Sequence, residues 1–179
     1  MTHLVLIGDL HVGKTSVCRA VVNLARQRGY SVGGILTTTD LDAAGQRLGF
    51  TLLNLATAEE RTLARVDRDY GGPSVGPFHF DPVVLQWGYD IVAGAIATGC
   101  DLLVVDEIGR LELEQNTGFG RLLDLLTAST VPRSLLVVRS ALLIAFRRRV
   151  PGLGHATFEV TLGNRDAAPT QVAQRLSLS

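Results

Sequence analysis

Residues Leu4 to Ser16 read LVLIGDLHVGKTS. Four apolar residues, Leu4, Val5, Leu6 and Ile7, have the pattern of a buried strand. Gly8-Asp9-Leu10-His11-Val12-Gly13-Lys14-Thr15 then matches the spacing G-x-x-x-x-G-K-[ST], and Val17, Val21, Leu24 and Ala25 recur beyond it at helical intervals. A strand entering and a helix leaving is the setting in which this pattern wraps a polyphosphate. Dense negative charge calls for backbone N–H groups turned inward, with glycine where a Cβ would block the approach. Residues Gly8 through Ser16, including Asp9, Leu10, His11 and Val12, are therefore the candidate nucleotide contacts. Lys14 reaches the outer phosphates, and Thr15 offers a hydroxyl to Mg²⁺. Of the 17 basic residues, Lys14 is the only lysine and all others are arginine. A compact ammonium fits inside such a loop, where a planar guanidinium needs more room.

The chain of 179 residues suits one domain, 1–179. Its apolar fraction, 46%, is spread through runs far too short to span a membrane. The first strand begins almost at once, so no signal peptide is expected and the cytoplasm is the expected compartment. Seventeen basic residues balance seventeen acidic ones, so no nucleic-acid partner is expected. The basic cluster Arg147-Arg148-Arg149 follows an apolar helical pattern, where cations complement the last turn. Cys18 and Cys100 lack metal or redox spacing and read as free, buried thiols. His3, His11, His79 and His155 form no ligand pair at helical spacing. His11 reads as a permissive loop position.

The first helix is expected over Lys14–Arg28, closed by Gly29. Two strands, Tyr30–Leu36 and Gln46–Leu53, are expected to pair antiparallel across a polar link, Thr38–Gly45. Shorter strands at Leu63–Val66 and Val75–Phe80 complete a small antiparallel insert within residues 38–80. Asp81-Pro82 is an N-cap followed by proline at the first helical position. It opens a helix to about Thr98, with Val84, Trp87, Ile91 and Ala95 inward.

The second chemical feature is DLLVVDEIGRLEL, Asp101 to Leu113. Leu102 to Val105 is the apolar run of a parallel strand buried on both faces, and it ends in two carboxylates. Ligands bind beyond the carboxyl ends of such strands, so Asp106 is the expected Mg²⁺ partner of Thr15. Glu107 remains to position or deprotonate a water. A leucine-rich helix at Gly118–Ala128, strands at Ser134–Val138 and Phe158–Leu162, and a last helix opened by Pro169 follow. Strand–helix alternation makes the fold class α/β, with a mainly parallel sheet flanked by helices.

With these residues the sequence resembles the cancer-related nucleoside-triphosphatase family, small P-loop proteins that hydrolyse nucleoside triphosphates to diphosphates. The likeness rests on Gly8 to Thr15, Gly33-Gly34, Gln46 to Phe50, Val105 to Leu113 and Asn164-Arg165-Asp166. It implies the P-loop NTPase fold, with triphosphate on residues 8–15. It implies metal and water at Asp106 and Glu107, and the base beside Asn164 and Arg165. The expected function is Mg²⁺-dependent hydrolysis of a nucleoside triphosphate, ATP or GTP, with Lys14, Asp106 and Glu107 catalytic. Arg110, Arg139 and Arg147 are candidates for an arginine acting on the phosphates. A kinase with a small acceptor bound against the insert, and a nucleotide-driven switch with an unknown protein partner, use the same loop. The absence of an Asn-Lys-x-Asp arrangement leaves base preference open.

Overall fold

A computed structural model describes residues 1–113, 120–153 and 156–178. Its strands are β1 (Thr2–Ile7), β2 (Val32–Leu41), β3 (Arg47–Asn54), β4 (Glu60–Arg65), β5 (Ser74–Val75), β6 (Phe78–Phe80), β7 (Leu102–Ile108), β8 (Arg133–Val138) and β9 (Thr157–Glu159). Its helices are α1 (Lys14–Gln27), α2 (Pro82–Thr98), α3 (Arg110–Leu113), α4 (Gly120–Ala128), α5 (Leu143–Arg149) and α6 (Ala168–Arg175). One nine-stranded sheet runs β5-β6-β4-β3-β2-β7-β8-β1-β9. The pairs β2–β7, β7–β8, β8–β1 and β1–β9 are parallel, whereas β2–β3, β3–β4, β4–β6 and β6–β5 are antiparallel. The expected insert is therefore an antiparallel arm of the main sheet.

The central runs of β1, β7 and β8 are apolar on both faces because alternate side chains feed two cores. Val5, Leu103, Val105, Leu136 and Val138 pack on the face of α2, α3, α4 and α5. Leu4, Leu6, Leu102, Val104, Leu135 and Val137 pack on the face of α1 and α6. The paired glycines 33 and 34 have a packing reason at the centre of this sandwich. Gly34 lies opposite Val104, and a Cβ there would stand 2.0 Å from the Val104 carbonyl oxygen. A Cβ on Gly33 would meet the Ala95 methyl at 2.7 Å, so this glycine lets α2 settle onto β2.

Helix α2 begins as expected: the Asp81 carboxylate accepts from Val83 N–H at 2.8 Å, and Pro82 occupies the first turn. Its buried stripe is Val84, Leu85, Gly88 and Val92. Trp87, Ile91 and Ala95 flank it half-buried, because Trp87 leans outward under the Arg61 guanidinium, 4.3 Å from its ring.

Three further expectations change. Strand β2 runs on to Leu41, because β3 pairs with it as far as Arg47. The turn shrinks to residues around Asp42, whose carboxylate accepts from Ala44 and Gln46 N–H at 2.8 Å. The expected strand Val75–Phe80 is a tight hairpin, folded back at Gly76-Pro77 so that Val75 pairs with Phe78. Strand β9 covers Thr157–Glu159, while Leu162 is exposed. The helix expected from Gly118 is described from Gly120; Gly118 and His155 lie outside the described residues. Among the described residues no helix is long and apolar enough to cross a membrane.

Candidate active site

Strand β1 ends at Ile7, and the chain turns through an exposed loop into α1. Gly8 is buried there: a Cβ would stand 2.6 Å from the Val160 carbonyl oxygen. Val160 N–H in turn donates to Ile7 at 2.8 Å, which pins that carbonyl against the loop. The requirement for glycine at position 8 thus comes from the strand β9 side of the fold as well as from any anion. His11 and Gly13 both adopt left-handed backbone, φ 64° and 100°, and this alternation turns successive N–H groups toward one concave side. His11, Asp9, Leu10 and Ser16 have exposed side chains.

Lys14 is buried, 8% exposed, and curls back over the loop. Its Nζ donates to the carbonyls of Gly8 at 2.9 Å and Asp9 at 2.7 Å. Burial pulls the ammonium below the ordinary lysine value and the Arg139 charge adds to that, while Glu107, Asp106 and Asp9 oppose it. Two carbonyls thus hold the side chain where a phosphate would take it over.

The carboxyl end of β7 lies next to this loop, although β8 separates β7 from β1 in the sheet. The connection runs through the first turn of α1 and the end of β2. The Thr15 hydroxyl donates to the Thr37 carbonyl at 3.5 Å and lies beside the Asp106 carboxyl, and the Thr37 hydroxyl donates to the Asp106 carbonyl. Asp106 is 2% exposed, and its Oδ2 has no hydrogen-bond partner among the described residues. Burial pushes its carboxyl up to about 7. The Thr15 hydroxyl opposes the rise, the nearby Glu107 charge adds to it, and the Thr37 backbone N–H and Lys14 oppose it. A buried carboxyl with an unpartnered oxygen beside a threonine hydroxyl fits a cation. Among the described residues no cluster of three His, Cys, Asp or Glu side chains is placed to hold a metal unaided. One hydroxyl and one carboxylate suit an ion that completes its shell with phosphate oxygens and water.

Glu107 points to the same end of the sheet and is held by Arg139, whose guanidinium Nε donates to Glu107 Oε1. Arg139 follows β8, the strand lying between those of the loop and of Asp106, so it enters the site from the middle. Of the other two candidate arginines, Arg110 opens α3 beyond Glu107, and Arg147 lies in the last turn of α5. Asn164 does not reach toward the loop: its Oδ1 accepts from Thr161 N–H and its Nδ2 donates to the Glu159 carbonyl, both at 2.8 Å. Arg165 stands over Gly13, its Cδ 3.9 Å from where a Cβ would be, and makes a long 3.8 Å contact to Asp166. Cys18 is fully buried and Cys100 half-buried; both are free, and burial raises both thiols.

The sequence profile of the NTPase family matches residues 3–173. The chain belongs to this NTPase family. Nucleoside-triphosphatase THEP1 of Methanosarcina barkeri is 33% identical, over 98% of this chain and 97% of its own. Nucleoside-triphosphatase THEP1 of Methanopyrus kandleri is 29% identical, over 97% and 94%. The solution structure of a human cancer-related nucleoside triphosphatase superposes with a TM-score of 0.75 at 22% identity, over 97% of this chain and 96% of that one. The crystal structure of THEP1 from the hyperthermophile Aquifex aeolicus gives 0.73 at 18%, over 97% and 98%. At those identities the two structures establish the P-loop NTPase fold of this family member, and family membership makes it a nucleoside-triphosphatase.

Proposed function

We propose that this nucleoside-triphosphatase is Mg²⁺-dependent, releases the γ-phosphoryl group to water, and uses Lys14, Asp106 and Glu107 as catalytic residues. The observation carrying this reading is the convergence of the Lys14 ammonium, the Thr15–Asp106 pair and the Arg139-held Glu107 at one end of the sheet. The amides of residues 8–16 cradle the phosphates, and the N-terminus of α1 adds its positive dipole end. Lys14 trades its two carbonyl partners for phosphate oxygens and offsets charge as the bridging bond lengthens. Thr15 and Asp106 are the residues that would hold Mg²⁺, which supplies charge neutralisation on the outer phosphate oxygens.

Glu107 orients a water for in-line attack and takes its proton as the new oxygen–phosphorus bond forms and the bridging oxygen departs with the diphosphate. Arg139 fixes the direction of that carboxylate. Arg165, above the loop, borders the base, and Asn164 holds its segment in place.

The test is phosphate release from ATP, GTP, CTP and UTP with Mg²⁺ and no added acceptor, with Lys14→Ala as the blank. Loss of one short-range charge contact in a partly screened site amounts to about 3–5 kcal/mol, so the variant should lose roughly a hundred- to several-thousand-fold. Equal release by both proteins would sink the assignment.

A further inference from the structure

A pocket of about 250 Å³ adjoins Glu107. Residues 8–16 contribute nothing to its lining. Its lining comes mainly from the antiparallel arm, including Phe50, Leu63, Phe78, Phe80 and Arg47, and is joined by Glu107 and Arg139. Phe50 and Phe78 have ring centroids 4.7 Å apart, and Phe50 and Phe80 6.4 Å apart, so three aromatic rings form one continuous surface. All three are half-buried and face open space. Hydrolysis asks only for water in front of Glu107, and an aromatic wall is a poor surface for water.

The charges around the pocket are uneven. Arg47, Arg110 and Arg139 border it against Glu107 and Glu112. Glu107 is engaged by Arg139, and the Glu112 carboxylate accepts from Gly109 N–H at 2.7 Å. Arg47 is half-buried, and its guanidinium makes no hydrogen bond or ion pair with the described residues. A guanidinium without a partner beside an aromatic wall selects for an anion attached to a flat apolar body.

We propose that this pocket binds a second small molecule, a one- or two-ring aromatic body carrying an anionic group, and that its occupancy covers Glu107 and slows hydrolysis. The control of hydrolysis rests on the role given to Glu107 above; the binding itself does not.

The probe is the anionic aromatic dye 8-anilinonaphthalene-1-sulfonate, titrated by fluorescence against the full chain with and without Mg²⁺–nucleotide. One saturable site is expected, weakened roughly tenfold by Arg47→Ala and by Phe78→Ala. Basal phosphate release in both variants should stay within about twofold of the parent, as for changes outside the reacting groups. Saturating dye should lower kcat for the triphosphate without raising its KM. Non-saturating binding, or binding unchanged in both variants, overturns the site. Competition between dye and nucleotide overturns its separateness from the phosphate loop, and an unmoved kcat overturns the control of Glu107. Failure of the hydrolysis reading shows separately, as missing Lys14-dependent phosphate release with the dye isotherm intact.

Discussion

Replacing Asp106 by Asn should make the ligand-free protein more stable at alkaline pH while abolishing its turnover. The Asp106 carboxyl is buried beneath Thr15 and Thr37 and titrates near 7 instead of 3.8, chiefly because burial disfavours its charge. Between those values the folded chain holds a proton that the unfolded chain has released. The stabilisation from a raised pKa is complete below about pH 4, declines as pH climbs, and is gone above about pH 7. A span of about three pH units at about 1.36 kcal/mol each gives an upper figure of about 4 kcal/mol. Asparagine keeps the shape and the carbonyl acceptor for Thr15 but cannot ionise. Urea unfolding without Mg²⁺ or nucleotide, at pH 4.5 and pH 8, isolates the effect. The variant should exceed the parent by only about 1 kcal/mol at the lower pH and by up to about 4 kcal/mol at the higher. Mg²⁺ with a non-hydrolysable triphosphate should close the gap at pH 8 by stabilising the ionised parent. A difference between the two proteins that is the same at both pH values would refute the reasoning.

Glu107→Gln should bind triphosphate within about threefold of the parent and lose about two to four orders of magnitude in turnover, measured as single-turnover phosphate release. Persistence of the parent rate would move the water-positioning role elsewhere. Arg139→Ala frees the Glu107 carboxylate, so kcat should fall by about tenfold or more with KM nearly unchanged, and Arg139→Lys should restore part of it. An equal loss in both variants would show that charge alone does not hold Glu107. Gly8→Ala sets a methyl 2.6 Å from the Val160 carbonyl. It should cost about 2 kcal/mol, seen as a fall of about 4–8 °C in Tm of the ligand-free protein. An unchanged Tm would mean that the strand β9 side yields easily.

Contiguous residues carried what was legible in the sequence. The loop Gly8–Thr15 lies between a strand and a helix that its own neighbours specify, and Asp81-Pro82 caps α2 by bonds within three residues. The apolar run before Asp106 declared a strand buried on both faces, and the alternation of elements declared an α/β sheet. Such features are decided by local sterics and by which side chains avoid water.

Strand order was not legible, because an apolar strand such as Leu135–Val138 fits any parallel neighbour. Only the folded chain places β8 between β1 and β7, and that order brings Arg139 to Glu107, 32 residues away in sequence. The threonine run 37–39 reads as strand propensity alone, yet Thr37 bridges Thr15 and Asp106 once β2 lies beside β7. The aromatic pocket has the same origin. Phe50, Phe78, Arg47 and Glu107 belong to three different strands, β3, β6 and β7, and no spacing along the chain records their meeting. Sequence alone determined the G-x-x-x-x-G-K-T loop between strand and helix, with its single lysine. Tertiary packing decided which carboxylate lies buried beside it and which arginine holds the other, because those contacts join segments related only through the sheet.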